Sequence, residues 1–298
     1  MNQLEQNANS AIDDQIDLVE LFKVFWAHKL MIVVITAMFT VGSVIYAMSL
    51  PNIYTAEVTL APVSSDGNSF AGGLGALGGL ASLAGISTSS GGDVPVNIAV
   101  IKSRQFIMEF IKENNLLPIL FAEKWDSTNN KWLVEDEKQV PSLLKGYEKF
   151  SQGVLKITEV KKNGLIVVTI EWFDPKISAK WANLLVNKAN AFLKQKAIDE
   201  ASQSISYLKD QISNTNEVGI QELLYKLIEK ELQTTKLANV RKDYAFKVLD
   251  PALEPEQKSK PKRKLLVIFG GILGVMANML LIFIRHFLKS NDDNSAEG

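Results

Sequence analysis

LLVIFGGILGVMANMLLIFI, Leu265 to Ile284, is the stretch on which the fold turns. No charge interrupts it. At about 1.5 Å of rise per helical residue it spans a hydrocarbon core of roughly 30 Å. LMIVVITAMFTVGSVIYAMSL, Leu30 to Leu50, has the same character. Uncharged runs of this length are rare in soluble cores, so both read as membrane spans. They divide the chain into a tail of residues 1–29, a first span 30–50, a hydrophilic middle 51–264, a second span 265–284 and a tail 285–298.

The composition excludes several chemistries. A net charge of −1 gives no sign of a nucleic-acid partner. There is no cysteine, and the two histidines, His28 and His286, flank the spans. The middle therefore has no cysteine nucleophile, no histidine-based triad and no Zn site built from cysteine and histidine. An exported domain without disulfides relies on packing or oligomerisation. No cofactor or metal is expected.

Within residues 1–29, DDQIDLVELFKVFWAHK places Ile16, Val19, Phe22 or Lys23, and Trp26 near one helical face. This predicts a helix at the membrane surface, with Lys23, His28 and Lys29 beside Trp26. The first span is too long for a signal core and no small-x-small site follows it, so it reads as a retained anchor. Lys23 and Lys29 before the first span, and Arg285 and Lys289 after the second, place both tails in the cytoplasm and the middle across the membrane. Lys258, Lys260, Lys262, Arg263 and Lys264 oppose this by lying just before the second span. The expectation lets the first span set orientation.

In the middle, IYTAEVTLAP (53–62) alternates as a half-buried strand. Residues 64–92 hold half of the eighteen glycines and read as a loop, with leucines spaced by three that would alternatively support a helix ordered by neighbouring subunits. No GK[ST] follows, so a P-loop is rejected. Pro95 to Asn115 reads as one amphipathic helix ended by Asn114, Asn115 and Pro118. Trp125 and Trp132 bracket DSTNN; two loop tryptophans suit either ligand stacking or, the favoured reading, anchoring on the core. A short helix over 141–150 precedes a hairpin, 154–160 and 165–172, whose Asn163-Gly164 is expected to supply positive φ angles. Asp174-Pro175 caps and opens a long helix to about Ser213. After Asn214-Thr215-Asn216 a second runs from about Glu217 to Val240, its apolar face Ile220, Leu223, Leu224, Leu227, Ile228 and Leu232. The pair, about 175–240, forms a helical hairpin or one kinked rod. Tyr244 to Leu249 is a last strand. Pro251, Pro255 and Pro261 then make a stiff lead into the second span. The fold class expected is α+β: two transmembrane helices flanking a periplasmic domain with a small mixed sheet and long projecting helices.

In combination, IDLVELFKVFWAHK, IYTAEVTLAP, IKSRQFIMEFIKENNLLP, DPKISAKWANLLVNKAN and ELLYKLIEKELQTTKLANVRKDYAFKVLDPALEPEQKSKPKRK resemble the Wzz-type chain-length determinants, the polysaccharide co-polymerases of Gram-negative inner membranes. Almost the whole chain is covered. The long-helix region is short for the family, and the glycine-rich insert is long. The resemblance implies a non-catalytic regulator of the modal length of O-antigen in lipopolysaccharide. It implies a ring-like homo-oligomer, with the inner-membrane polymerase, membrane lipid and the growing lipid-linked polysaccharide as partners. A different polymer (enterobacterial common antigen, capsule or exopolysaccharide) is the alternative, as is a non-polysaccharide membrane scaffold. Related capsule proteins often add a kinase domain; only about fourteen residues follow Ile284 and no Walker motif is present, so none is expected here. Carboxylates are plentiful, so residue type alone leaves a glycosidase pair open.

On the second span Gly270, Gly271 and Gly274 form a GxxxG face, and Asn278 lies one turn further on. A polar amide in hydrocarbon needs a partner. These residues are expected to meet the first span, another subunit or the polymerase.

Overall fold

The computed structural model describes Trp26 and residues 29–63, 94–134 and 136–296, with side chains as far as Arg285 apart from that of residue 137. The expected surface helix before Trp26 and the glycine-rich stretch 64–92 lie outside the described residues. The chain forms two compact units, one of Met1–Asn52 with Ser259–Gly298, the other of Ile53–Lys258.

The first unit is a pair of helices, α1 (Lys29–Ser49) and α8 (Arg263–Ala296), packed along their length. Lys29–Ser49 and Arg263–Arg285 are each long and apolar enough to cross a membrane. Their outward faces are apolar and exposed, as in Val33, Met38, Phe269 and Leu280. The backbone of α8 stays helical beyond the apolar stretch, to Ala296.

The second unit is α+β. Strand β1 (Tyr54–Pro62) alternates as its sequence requires, with Ala56, Val58 and Leu60 buried and Glu57 exposed. Helix α2 (Val94–Lys102) and helix α3 (Arg104–Glu113) replace the single helix expected over 95–115. The break is at Ser103, whose Oγ accepts from the Phe106 amide at 3.3 Å and so starts a new helix. Asn115 ends α3 with φ +48, a left-handed terminator that asparagine tolerates. A single turn, α4 (Leu117–Leu120), leads to a two-residue hairpin, β2 (Trp125–Asp126) and β3 (Lys131–Trp132). Helix α5 (Leu143–Gly153) is capped by Ser142.

Strands β4 (Leu155–Val160) and β5 (Leu165–Trp172) form the expected hairpin, but of its turn residues only Gly164 has positive φ, +67. The loop has the four residues expected, Lys161 to Gly164. Asn163 and Gly164 both donate to the Val160 carbonyl, so a single left-handed residue closes it. Asp174 Oδ1 then accepts from the amides of Lys176 (2.8 Å) and Ile177 (3.0 Å), starting α6 (Pro175–Ser213). Helix α7 (Val218–Val240) packs back on α6, so the pair is a helical hairpin. Strand β6 (Phe246–Asp250) returns to the sheet.

The strand order is β4-β5-β1-β6, and every pairing among these four is antiparallel, where a mixed sheet was expected. The helical excursion does return β6 in the direction of β5. Strand β1 runs oppositely between them, so each adjacent pair is antiparallel. Val58, Leu60, Ile166, Val168 and Ile170 from the sheet pack with Phe106 and Phe110 of α3, Phe150 of α5, and Trp181 and Leu185 of α6.

Helix α7 departs furthest from its pattern. Ile228 of the expected apolar face is buried and Leu224 half-buried. Ile220, Leu223, Leu227 and Leu232 are exposed. Where α6 and α7 have only each other, one seam is covered and the rest of the stripe faces out.

Candidate functional site

Spacings of four bring Gly270, Gly274 and Asn278 onto one face of α8, and spacings of four and three bring Thr36, Thr40 and Ser43 onto one face of α1. The structure sets these faces together. A Cβ on Gly270 would overlap the Ser43 side chain. At Gly274 it would lie 3.0 Å from the Thr36 Cα and 3.0 Å from the Phe39 Cβ, against backbone that cannot yield. Gly271 is looser, 3.7 Å from the Thr40 Oγ1. Lipid supplies no hydrophobic drive between helices, so close backbone approach and hydrogen bonds hold such a seam.

Asn278 provides those bonds. Its Nδ2 donates to the Ile32 carbonyl (3.2 Å), the Thr36 Oγ1 (3.2 Å) and the Gly274 carbonyl (3.0 Å). Its Oδ1 is buried and has no partner among the described residues. Thr40 and Ser43 satisfy their own hydroxyls by donating to the Thr36 and Thr40 carbonyls, both at 2.8 Å. At one end of the pair, Arg263 donates to the Leu50 carbonyl (3.3 Å) and the Asn52 Oδ1 (3.1 Å). Thr36, Thr40 and Ser43 are the half of the seam that the reading of α8 alone does not supply; their hydroxyl spacing within an apolar run was the available signal. Pro251, Pro255 and Pro261 are strung along the irregular stretch 251–262, Pro251 exposed and the others half-buried.

In the second unit, two further asparagines fix the returning strand. Asn190, buried on α6, donates through Nδ2 to the Phe246 carbonyl (2.7 Å). Its Oδ1 accepts from the amides of Ala245 (3.0 Å) and Phe246 (2.9 Å). Two turns earlier, Asn183 bonds both the amide (3.1 Å) and the carbonyl (2.9 Å) of Ala252. Lys188 reaches Glu109 and Glu113 of α3, each at 2.8 Å. Burial pulls the Lys188 ammonium down, but the hydrogen bonds and charges of the two glutamates outweigh it and hold the group above its ordinary value.

Trp125 and Trp132 face each other edge-on, with centroids 4.9 Å apart. They are half-exposed and belong neither to the core cluster nor to the half-buried residues packed on it, which corrects the expectation that they anchor the loop to the core. They pair across β2 and β3 and cover each other instead. Among the described residues no group of three or more histidine, cysteine, aspartate and glutamate side chains is placed to hold a metal ion.

These features describe an α+β unit interposed in sequence between two paired helices, each long and apolar enough to cross a membrane. Residues 14–114 match the family model for the Wzz chain length determinant protein, and residues 209–287 match the model described as "G-rich domain on putative tyrosine kinase". The resemblance to Wzz-type chain-length determinants is thereby borne out. The tyrosine-protein kinase etk of Escherichia coli K12 is 28% identical over 123 residues, 41% of this chain, and that of E. coli O157:H7 is 27% identical over the same length. The match spans 16% of the length of each of these relatives. Among solved structures, a full-length bacterial polysaccharide co-polymerase aligns over 92% of this chain and 99% of its own, at 12% identity and a TM-score of 0.40. A fragment of WzzB from Salmonella Typhimurium aligns over 70% and 100%, at 10% identity and a TM-score of 0.28.

Proposed function

We propose that this protein sets the modal chain length of O-antigen polysaccharide as a non-catalytic, oligomeric partner of the membrane polymerase. The observation that carries this reading is the match of residues 14–114 to the chain length determinant family. Two apolar helices bracketing the α+β unit accord with it. In this reading both tails are cytoplasmic, the unit 53–258 is periplasmic and the membrane is the Gram-negative inner membrane.

Self-association is supported by apolar residues that the helical hairpin leaves uncovered. Tyr207, Val218, Leu223, Tyr225 and Leu232 are between 43% and 77% exposed. A second copy of the chain is the partner proposed for them. The glycine–asparagine seam holds the two spans as one element, against which a polymerase would dock.

A second reading, a co-polymerase for another surface polysaccharide, is favoured by the match of residues 209–287 and by the similarity to etk, neither of which points to O-antigen. Deleting the gene and resolving the lipopolysaccharide ladder separates the two. Loss of a modal cluster that returns on restoration supports O-antigen. An unchanged ladder with an altered size distribution of capsule or exopolysaccharide supports the second reading.

A further inference from the structure

Where α7 ends and the chain turns towards β6, a groove of about 530 Å³ opens against α6. That size lies within the range of roughly 300–1,000 Å³ usual for small-molecule sites. Its lining includes Asn190, whose Oδ1 accepts two strand amides and whose Nδ2 donates to the Phe246 carbonyl, so this amide is committed to the strand. The groups that remain are the amides of Asn187 and Asn239, the cations of Lys194, Arg241 and Lys242, and the carboxylate of Asp243. Among the described residues no salt bridge engages Lys194, Arg241 or Lys242, and no hydrogen bond engages the side chains of Asn187 or Asn239. Lys194, Arg241 and Asp243 are half-buried, so their charges are less screened than those of a fully exposed face.

Three cations against one carboxylate make the groove an attractor for anions. The amides and Asp243 add something an anion alone does not use. Each amide offers a donor and an acceptor together, and the carboxylate accepts from hydroxyls while repelling a dense charge such as phosphate. Guanidinium and ammonium groups pair with a carboxylate by charge-assisted hydrogen bonds. We propose that this groove binds an acidic saccharide, a hydroxyl-rich sugar segment carrying a carboxylate, with Arg241, Lys194 and Lys242 on the carboxylate and Asn187, Asn239 and Asp243 on the hydroxyls. The inference rests on the polysaccharide reading above and names the class of polymer the protein would touch directly.

The test is a calorimetric titration of the full chain in detergent micelles with trigalacturonate, with neutral maltotriose and inorganic phosphate as the other arms. Trigalacturonate binds best, and its affinity falls as salt rises. Lys194→Ala and Arg241→Ala each weaken it about 3- to 10-fold, in line with loss of one partly screened charge-assisted contact. Lys194→Arg keeps most of the affinity, and thermal unfolding shows that the variants remain folded. Absence of trigalacturonate binding, equal binding of maltotriose, equal binding of phosphate, or folded variants that bind like the parent would each overturn the proposal. Failure of the polysaccharide reading registers separately, as polymer lengths that do not change on gene deletion, an assay that involves no added saccharide.

Discussion

Asn190 and Asn278 are both buried on helices, and they are satisfied differently. Asn190 sits in an aqueous domain and uses both ends of its amide on the backbone of β6. Asn278 sits between the apolar helices and uses only its nitrogen, leaving its oxygen unpartnered among the described residues. The first is a closed device: it fixes where the chain re-enters the sheet after the 66-residue stretch from Pro175 to Val240. The second, with the hydroxyls of Thr36, Thr40 and Ser43, marks register along two helices whose outward faces are apolar. Between such helices in lipid, apolar contact says little about which faces should meet, and small residues and polar groups must specify it. In water the relation reverses, and under the proposed self-association the uncovered leucines of α7 are where the partner would pack.

The largest effect that would break this comparison is at Asn190. Asn190→Leu leaves three buried backbone groups without partners and should cost about 2–4 kcal/mol. Denaturant unfolding of the chain in mild detergent would show it, and a loss below half a kcal/mol, on the order of the ordinary surface substitution, would contradict the strand-clamp role.

Next is Gly274→Leu. A side chain there meets the Thr36 backbone, so the seam must open, at about 1–3 kcal/mol for an overpacked contact. The chain has no cysteine, so an introduced pair reports cleanly. Thr40→Cys with Gly271→Cys should cross-link readily in the parent seam and poorly with Gly274→Leu added.

A smaller effect is expected at Lys188, because Glu109 and Glu113 are 37% and 49% exposed at their side chains. Lys188→Met should cost about 0.5–1 kcal/mol at neutral pH. The folded-state value of this lysine is raised above the ordinary 10.5, so the contribution is complete below that pH and is lost as pH rises through the folded value. Parent and variant unfolding curves should therefore converge in strongly alkaline solution and stay apart at acid-to-neutral pH for as long as the glutamates are charged.

The smallest effect sharpens the contrast most. Asn278→Leu removes hydrogen bonds of a kind worth about 0.6 kcal/mol on average in membrane helices, and it also removes an orphaned oxygen. Helix association measured by the same cross-link should change by no more than about 0.5 kcal/mol. A loss as large as that of Asn190→Leu would show that the two asparagines are equivalent after all.

Much of this was legible in the chain. The uncharged runs, the Asp174-Pro175 start and the alternation of β1 depend on local chemistry, and the structure follows them. Ser103 was missed because a serine within a continuous apolar period reads as a polar helix position until its Oγ is seen on the Phe106 amide. The antiparallel order of the sheet depends on β1 lying between β5 and β6, which no local pattern encodes. The apolar face of helix α7 was readable, but periodicity does not report whether anything covers that face. Asn190 carried a readable sign, a single amide among Val186, Ala189 and Leu193, though not its target 55 residues away. At the glycine–asparagine seam, α8 was readable alone, whereas its partner residues on α1 required the pairing itself.

The most direct measurement is the polysaccharide length distribution of a deletion strain restored with the parent gene or with Gly274→Leu at matched membrane levels. The account predicts that the parent restores the modal cluster and that Gly274→Leu shifts or abolishes it. A restored cluster identical in both strains would contradict the claim that the paired helices take part in setting chain length.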